Sequence, residues 1–203
     1  MSSKIMKLIN KIKAKLMFNS ILRYFLTQFF KISLATCFNI RLVFLASIST
    51  LSLMLALPTV LILIGFTIFS YVFMQKNQYR LHEENFQGSY GSLYAKVEIY
   101  NHKEALKYTF YFCVRRMVTA LIIASFQGST VLQVFLLVQV SLIMTLWAIK
   151  TKPMIDTASN IVFITNELVV LICSYLILLF TDFVVSFEER YKLGFVYIWI
   201  FLF

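Results

Sequence analysis

Three charged residues inside long apolar stretches are the residues best placed to do chemistry in this chain. Arg115 and Arg116 lie in the stretch 108–126, and Glu167 lies in the stretch 158–182. A charge within a membrane helix is costly and needs a partner or a wet cavity. If both stretches begin at one membrane face, the charges lie at roughly 10 and 13 Å depth. The sequence therefore predicts an ion pair between Glu167 and one arginine, since adjacent helical residues point about 100° apart.

Two interpretations of this pair stay open. In the first, a static ion pair holds two helices together, because any buried charge needs a partner. In the second, the charges belong to an ion path, a gate latch or a voltage-sensitive element. Of these functional interpretations, a voltage sensor is less favoured, because voltage-sensing helices repeat Arg at every third residue and the stretch 108–126 does not.

A second group of charges follows the stretch 158–182. Asp182, Glu188 and Glu189 are predicted on the outer side, near Arg190 and Lys192. Acidic residues at a pore mouth concentrate cations. The alternative is an ordinary solvated loop.

The elements that position these residues are apolar helices. Hydrophobic residues make up 60% of the 203-residue chain, against about 45–50% in soluble domains. We expect an all-α protein, a polytopic membrane bundle with about five spans plus a truncated last helix. The predicted spans are 18–38, 42–74, 108–126, 131–149 and 158–182, and the last helix begins near Gly194 and is cut off at Phe203. Little of the chain remains for a catalytic domain.

The first predicted span is the ambiguous one. Asn19, Arg23, Thr27 and Lys31 recur every fourth residue and share one helical face. This pattern fits either an interfacial helix or a spanning helix whose polar stripe faces other helices. In a spanning helix Lys31 needs a partner or a wet cavity. An oligomer or partner protein is expected to cover the stripe.

The net charge of +10 indicates membrane topology. Lys and Arg accumulate on the cytoplasmic side, so the basic leader 1–17 and the loop at about 75–107 are predicted to be cytoplasmic. The uncharged turn 127–130 is then outside. Both assignments hold together only if 18–38 crosses; the rival is an interfacial first helix with the N-terminus outside. Nucleic-acid binding is not expected, because no soluble basic fold is present.

Enzymatic and cofactor motifs are not found. The three cysteines are widely spaced, and His82 and His102 belong to the polar loop, so neither zinc nor a disulfide is expected. Gly88 and Gly91 mark a tight turn that lacks the Gly-Lys-Ser/Thr ending of a phosphate loop. No catalytic triad or nucleophile elbow is recognisable.

Several short motifs together resemble a known family, the TRP-like C-terminal membrane region of multi-pass proteins in protists, distantly similar to fungal flavin-carrier-type TRP-like channels. The segment 19–24 looks like the helix that precedes the first core span of that family. Tyr90, Gly91, Leu93 and Tyr94 look like its Tyr/Phe-Gly-x-Leu-Tyr loop motif. In order along the chain, the further matches are Arg115-Arg116, Lys152-Pro153, Asn166-Glu167, Thr181-Asp182 and Arg190-Tyr191 with Gly194.

The resemblance covers essentially 16–203 and implies a helical, channel-like module, permeable to cations, in a cell or organelle membrane. It places Asn166 beside Glu167 in the intramembrane site. Family members usually have a large ectodomain before this region and continue beyond its last helix, so a truncated relative is expected here. Two other functions stay open: a non-conducting anchor or accessory subunit of a larger complex, and a transporter of small solutes or lipids.

Overall fold

The computed structural model describes residues 19–46, 50–81, 83–94, 97–98, 104–181 and 186–202. In this part of the chain the α-helices are α1 Ser20–Ala46, α2 Thr50–Lys76, α3 Glu84–Tyr90, α4 Tyr108–Ser125, α5 Thr130–Thr151, α6 Thr157–Leu179 and α7 Phe187–Leu202. Single turns of 3₁₀ helix at Gln78–Arg80, Gly91–Leu93 and Ala105–Lys107 lie between α2 and α4. The described residues contain no β-strand, and the predicted all-α class is confirmed.

Within the described part of the chain, three helices, α2, α5 and α6, are long and apolar enough to cross a membrane. A span requires about 20 residues, and these helices supply 25, 22 and 22 residues of suitable composition. Their outer faces expose large apolar side chains such as Leu61, Ile143 and Ile161. Such surfaces are unfavourable in water and suited to lipid, which indicates a membrane-embedded protein.

Helices α1 and α4 each contain cationic residues within long apolar segments, and the two helices pack against each other. α1 is 27 residues long and contains Arg23, Lys31 and Arg41. α4 is 18 residues long and contains Arg115 and Arg116. Because α4 also contacts α2 and α5, its arginines lie among helices rather than on an isolated surface.

Aromatic packing joins α1 to α2. The rings of Phe25 and Phe66 are 4.7 Å apart in an edge-on arrangement. Phe29, one turn along α1, is completely buried beside them. Edge-on aromatic pairs contribute about 0.5–1.5 kcal/mol beyond burial of their surface. α5 and α6 form the second helix pair of the bundle.

The segment between α2 and α4 folds onto the helix ends as a compact apolar group, here named the loop-end cluster. Fully burying one such side chain contributes about 1.5–3 kcal/mol. The few apolar residues described in the mostly polar segment 75–107 therefore hold it against the helix ends. The buried members are Met74, Leu81, Phe86, Leu93, Tyr94, Val97, Ala105 and Leu106.

The connection between α5 and α6 reaches the same end of the bundle. Lys152 ends α5 in the left-handed conformation, with φ of 44°. Pro153 follows and cannot continue a helix. The Glu98 amide donates a 2.8 Å hydrogen bond to the Pro153 carbonyl, and Val97 forms a β-bridge with Met154. The segment that forms the loop-end cluster therefore contacts the helix pair α1 and α2 and also the connection between α5 and α6.

The predicted helices 108–126 and 131–149 agree with α4 and α5 to within one or two residues. The first two predictions were wrong in their bounds. α1 extends to Ala46, beyond the predicted 18–38, and α2 begins only at Thr50 although the predicted run was 42–74. The reason is that the apolar ends of consecutive helices merge into a single run. Pro58 lies inside α2, as predicted.

The last helix was also placed wrongly. The expected start near Gly194 is in the middle of α7, which begins at Phe187. Charged residues in the first turn of α7 hid its beginning, because they resemble a solvated loop. α6 ends at Leu179, three residues before the predicted end.

Candidate functional site

The predicted ion pair is present, between Arg115 of α4 and Glu167 of α6. Nη1 of Arg115 is 2.5 Å from both carboxylate oxygens of Glu167. The Glu167 side chain is 8% exposed and that of Arg115 is 21% exposed. A carboxylate this buried is tolerated because a cation is directly against it.

Arg116 faces another direction, as its position one residue along the helix requires. Its Nη1 donates a 2.9 Å hydrogen bond to the Leu26 carbonyl of α1. Its guanidinium carbon is 3.9 Å from the centre of the Phe112 ring, within cation–π range. The double arginine therefore bridges α4 to α6 on one side and to α1 on the other.

A cavity of about 620 Å³ separates these two bridges and is open at one side. Its charged lining consists of Lys31, Arg115, Arg116 and Glu167. Lys31 comes from the polar stripe of α1, for which a partner or a wet cavity was expected. Thr27, Phe30, Tyr108, Phe112, Thr119, Leu137, Ser141, Phe163, Asn166, Val170 and Ser174 complete the lining.

Asn166 lines this cavity beside Glu167. Glu167 is also close to α5, because Thr145 Oγ1 is 3.4 Å from the Glu167 backbone oxygen. Glu167 thus lies where α4, α5 and α6 meet: its carboxylate contacts Arg115 of α4, and its backbone carbonyl contacts Thr145 of α5.

Of the predicted outer acidic cluster, Asp182 lies outside the described residues. Glu188 and Glu189 lie in the first turn of α7 rather than in a loop, are exposed, and are not among the described residues that line the cavity. Glu188 pairs with Lys192 at 2.9 Å along the same helix. Carboxylates there suit the positive end of the helix dipole.

The loop motif of Tyr90, Gly91, Leu93 and Tyr94 lies at the loop-end cluster and has structural contacts. The Thr109 hydroxyl at the start of α4 donates to the Leu93 carbonyl. The Tyr94 hydroxyl donates to the Leu81 carbonyl at 3.2 Å, and burial raises the pKa of this phenol. Gly91 begins a 3₁₀ turn in the αR conformation.

Sequence reasoning missed Ser92, in the middle of that motif. Its amide donates a 2.8 Å hydrogen bond to Oδ1 of Asn19, and its hydroxyl donates to the Asn19 carbonyl at 2.9 Å. The motif therefore anchors the start of α1. A small polar residue inside an otherwise apolar and aromatic motif was the available signal.

Arg41 was also missed; it falls between the predicted spans 18–38 and 42–74. Its Nη1 donates a 2.6 Å hydrogen bond to the Ala124 carbonyl in the last turn of α4. Carbonyls at a helix end have no partner within the helix, and a cation there also matches the helix dipole. Arg41 thus holds the ends of α1 and α4 together.

A second, apolar cavity of about 330 Å³ lies among α1, α2 and α4. Cys37, Leu63 and Met117 are among its lining residues. α4 thus has a polar face toward one cavity and an apolar face toward the other. Among the described residues no group of three His, Cys, Asp or Glu side chains is arranged to hold a metal ion.

Comparison with protein-family models, curated proteins and solved structures returns no match to this chain. What the residues and contacts define is a class: a membrane-embedded helical protein with a paired acid and arginine at a polar cavity.

Proposed function

We propose that this chain is the membrane module of a TRP-like multi-pass protein, a subunit of a cation channel or a relative of one. The observation that carries the proposal is the Arg115–Glu167 pair, which joins α4 to α6 within a bundle of apolar helices. Intramembrane charges with a specific partner are typical of proteins that move ions or solutes. The ordered family-like motifs add support, since the Asn19 and Ser92 motifs bond to each other.

In this proposal α1 and α4 cross the membrane with α2, α5 and α6, making five spans. The loop-end cluster faces the cytoplasm, because Lys76, Lys107, Lys150 and Lys152 gather at that end. Arg23 is exposed near the start of α1, where a long side chain reaches the same interface.

The pair acts as a latch between helices rather than as a path for cations. Three cationic side chains and one carboxylate line the cavity, and such a lining repels cations. Cations then cross elsewhere, at an interface between copies or with other subunits. A homo-oligomer or larger membrane complex is part of the proposal.

A second candidate, a transporter of small solutes or lipids, is favoured by the cavity itself. Binding sites for small molecules are commonly about 300–1,000 Å³ and combine apolar walls with a few polar groups. The charged cavity, at about 620 Å³, has such walls in Phe30, Phe163 and Val170. Transport and channel function predict different kinetics, since only a transporter saturates without single-channel steps.

The test is to reconstitute the purified intact chain in planar bilayers and in liposomes. Cation currents that Glu167→Gln reduces, and that Glu83→Gln at an exposed carboxylate outside the cavity lining leaves unchanged, would support the channel. Saturable flux without current steps would favour the transporter. If folded protein gives neither current nor flux, both proposals fail and the accessory-subunit hypothesis replaces them.

A further inference from the structure

The charged cavity has more positive than negative groups. Lys31, Arg115 and Arg116 line it, and Glu167 is the acidic residue among its lining. Glu167 is already bonded to Arg115. Among the described residues of the lining, Lys31 and Arg116 therefore face the cavity without a carboxylate of their own. Uncompensated charge in an apolar surrounding is unfavourable, and a bound anion relieves it.

The geometry of these cations limits which anion fits. Arg116 is held in place by the Leu26 carbonyl and the Phe112 ring, so its guanidinium is fixed beside the cavity. A fixed guanidinium suits phosphate oxygens, and an ammonium on a flexible stem supplies a second point charge. Lys31 is exposed on the cavity side of α1 and supplies that ammonium.

The remaining lining favours a ligand that is part polar and part apolar. Thr27, Thr119 and Ser141 offer hydroxyl groups, while Phe30 and Leu137 offer apolar surface. A small inorganic anion would leave most of the roughly 620 Å³ volume to water. A phosphate ester with an organic body fills it better.

We propose that this cavity binds a phosphate ester, with the phosphate between Lys31 and Arg116 and the organic part against the apolar wall. The ester is either the headgroup of an anionic lipid or a soluble organic phosphate, and both share this chemistry. The proposal concerns binding alone, so it does not depend on whether the chain conducts ions.

The experiment uses the intact chain in nanodiscs and measures retained lipid by native mass spectrometry. Phosphatidic acid is offered in a phosphatidylcholine background. The wild type is expected to retain phosphatidic acid in preference to phosphatidylcholine. Lys31→Gln is expected to weaken retention about tenfold, the size of a lost charge-assisted hydrogen bond. Lys150→Gln, the same change at an exposed lysine outside the cavity lining, is expected to leave it unchanged.

For a second variant we expect a change in phosphatidic acid retention in the opposite direction. Glu167→Gln removes the one acidic group of the lining, so it is expected to strengthen retention of phosphatidic acid. A purely structural role for Glu167 predicts weaker retention instead. A thermal melt of each variant confirms that it is folded, and Lys31→Gln alone still decides if Glu167→Gln does not fold.

Competition distinguishes the two sources of the phosphate. If glycerol 3-phosphate in solution displaces phosphatidic acid at equal affinity, the ligand is a soluble organic phosphate. If only the lipid binds tightly, the ligand is a membrane lipid. Equal retention of phosphatidylcholine and phosphatidic acid, or equal effects of Lys31→Gln and Lys150→Gln, would overturn the proposal.

Discussion

The charged cavity and the loop-end cluster both contact α1 and α4, yet they are held together differently. In the cavity, Arg115 and Glu167 meet across 52 positions of sequence through a charge-assisted contact. In the loop-end cluster, apolar side chains are buried, and the hydroxyls of Tyr94 and Thr109 donate hydrogen bonds to backbone carbonyls. In the first region, Lys31 and Arg116 also face the cavity. The charged cavity is therefore the region suited to bind a ligand, whereas the loop-end cluster holds the segment between α2 and α4 against the helix ends.

The largest effect expected is from breaking the buried pair on one side only. Arg115→Leu leaves Glu167 buried without its cation and is expected to lower the free energy of unfolding by about 3–5 kcal/mol. The measurement is denaturant unfolding of the purified protein in detergent micelles.

The matched control replaces both partners. Arg115→Leu with Glu167→Leu removes the two charges together, and such double replacements are often neutral or stabilising. The double variant should therefore recover most of the lost stability. Wild-type stability in the single variant would show that the pair does not hold α4 to α6.

A smaller effect is expected from the apolar anchor. Leu93 is 2% exposed in the loop-end cluster, and Leu93→Ala is expected to cost about 2–4 kcal/mol through the cavity it creates. Leu61→Ala, at a side chain 70% exposed on α2, serves as the control and should cost much less. The same unfolding assay compares the two variants. An equal loss of unfolding free energy in both would contradict the burial of Leu93 in the loop-end cluster.

The smallest effect concerns one hydroxyl. Ser92→Ala removes the hydroxyl contacts to the carbonyl and to Oδ1 of Asn19 but keeps the hydrogen bond from the Ser92 amide to Oδ1, so a loss of about 0.5–1.5 kcal/mol is expected. Hydrogen exchange at the start of α1 should become faster. Ser174→Ala is the control, because the Ser174 hydroxyl bonds to Val170 within its own helix and its loss should leave α1 unaffected.

Much of the fold could be predicted from local properties of the chain. The helical class, the bounds of α4 and α5 and the pairing of Glu167 with one arginine all depend on apolar runs and on the cost of a buried charge. The bounds of α1, α2 and α7 could not be found in this way. Hydropathy sums over neighbouring residues and does not separate two apolar helices joined by a short connection.

The amino-acid sequence by itself determined that the chain is a set of apolar helices carrying a few charges that need partners. Only the tertiary structure decided that Arg115 faces Glu167, that Arg116 faces the Leu26 carbonyl, and that Lys31 borders the same cavity. The physical reason is that each helix's rotation and neighbours depend on contacts between segments far apart in the chain. Residues such as Arg41 and Ser92 find their partners only when those segments have packed.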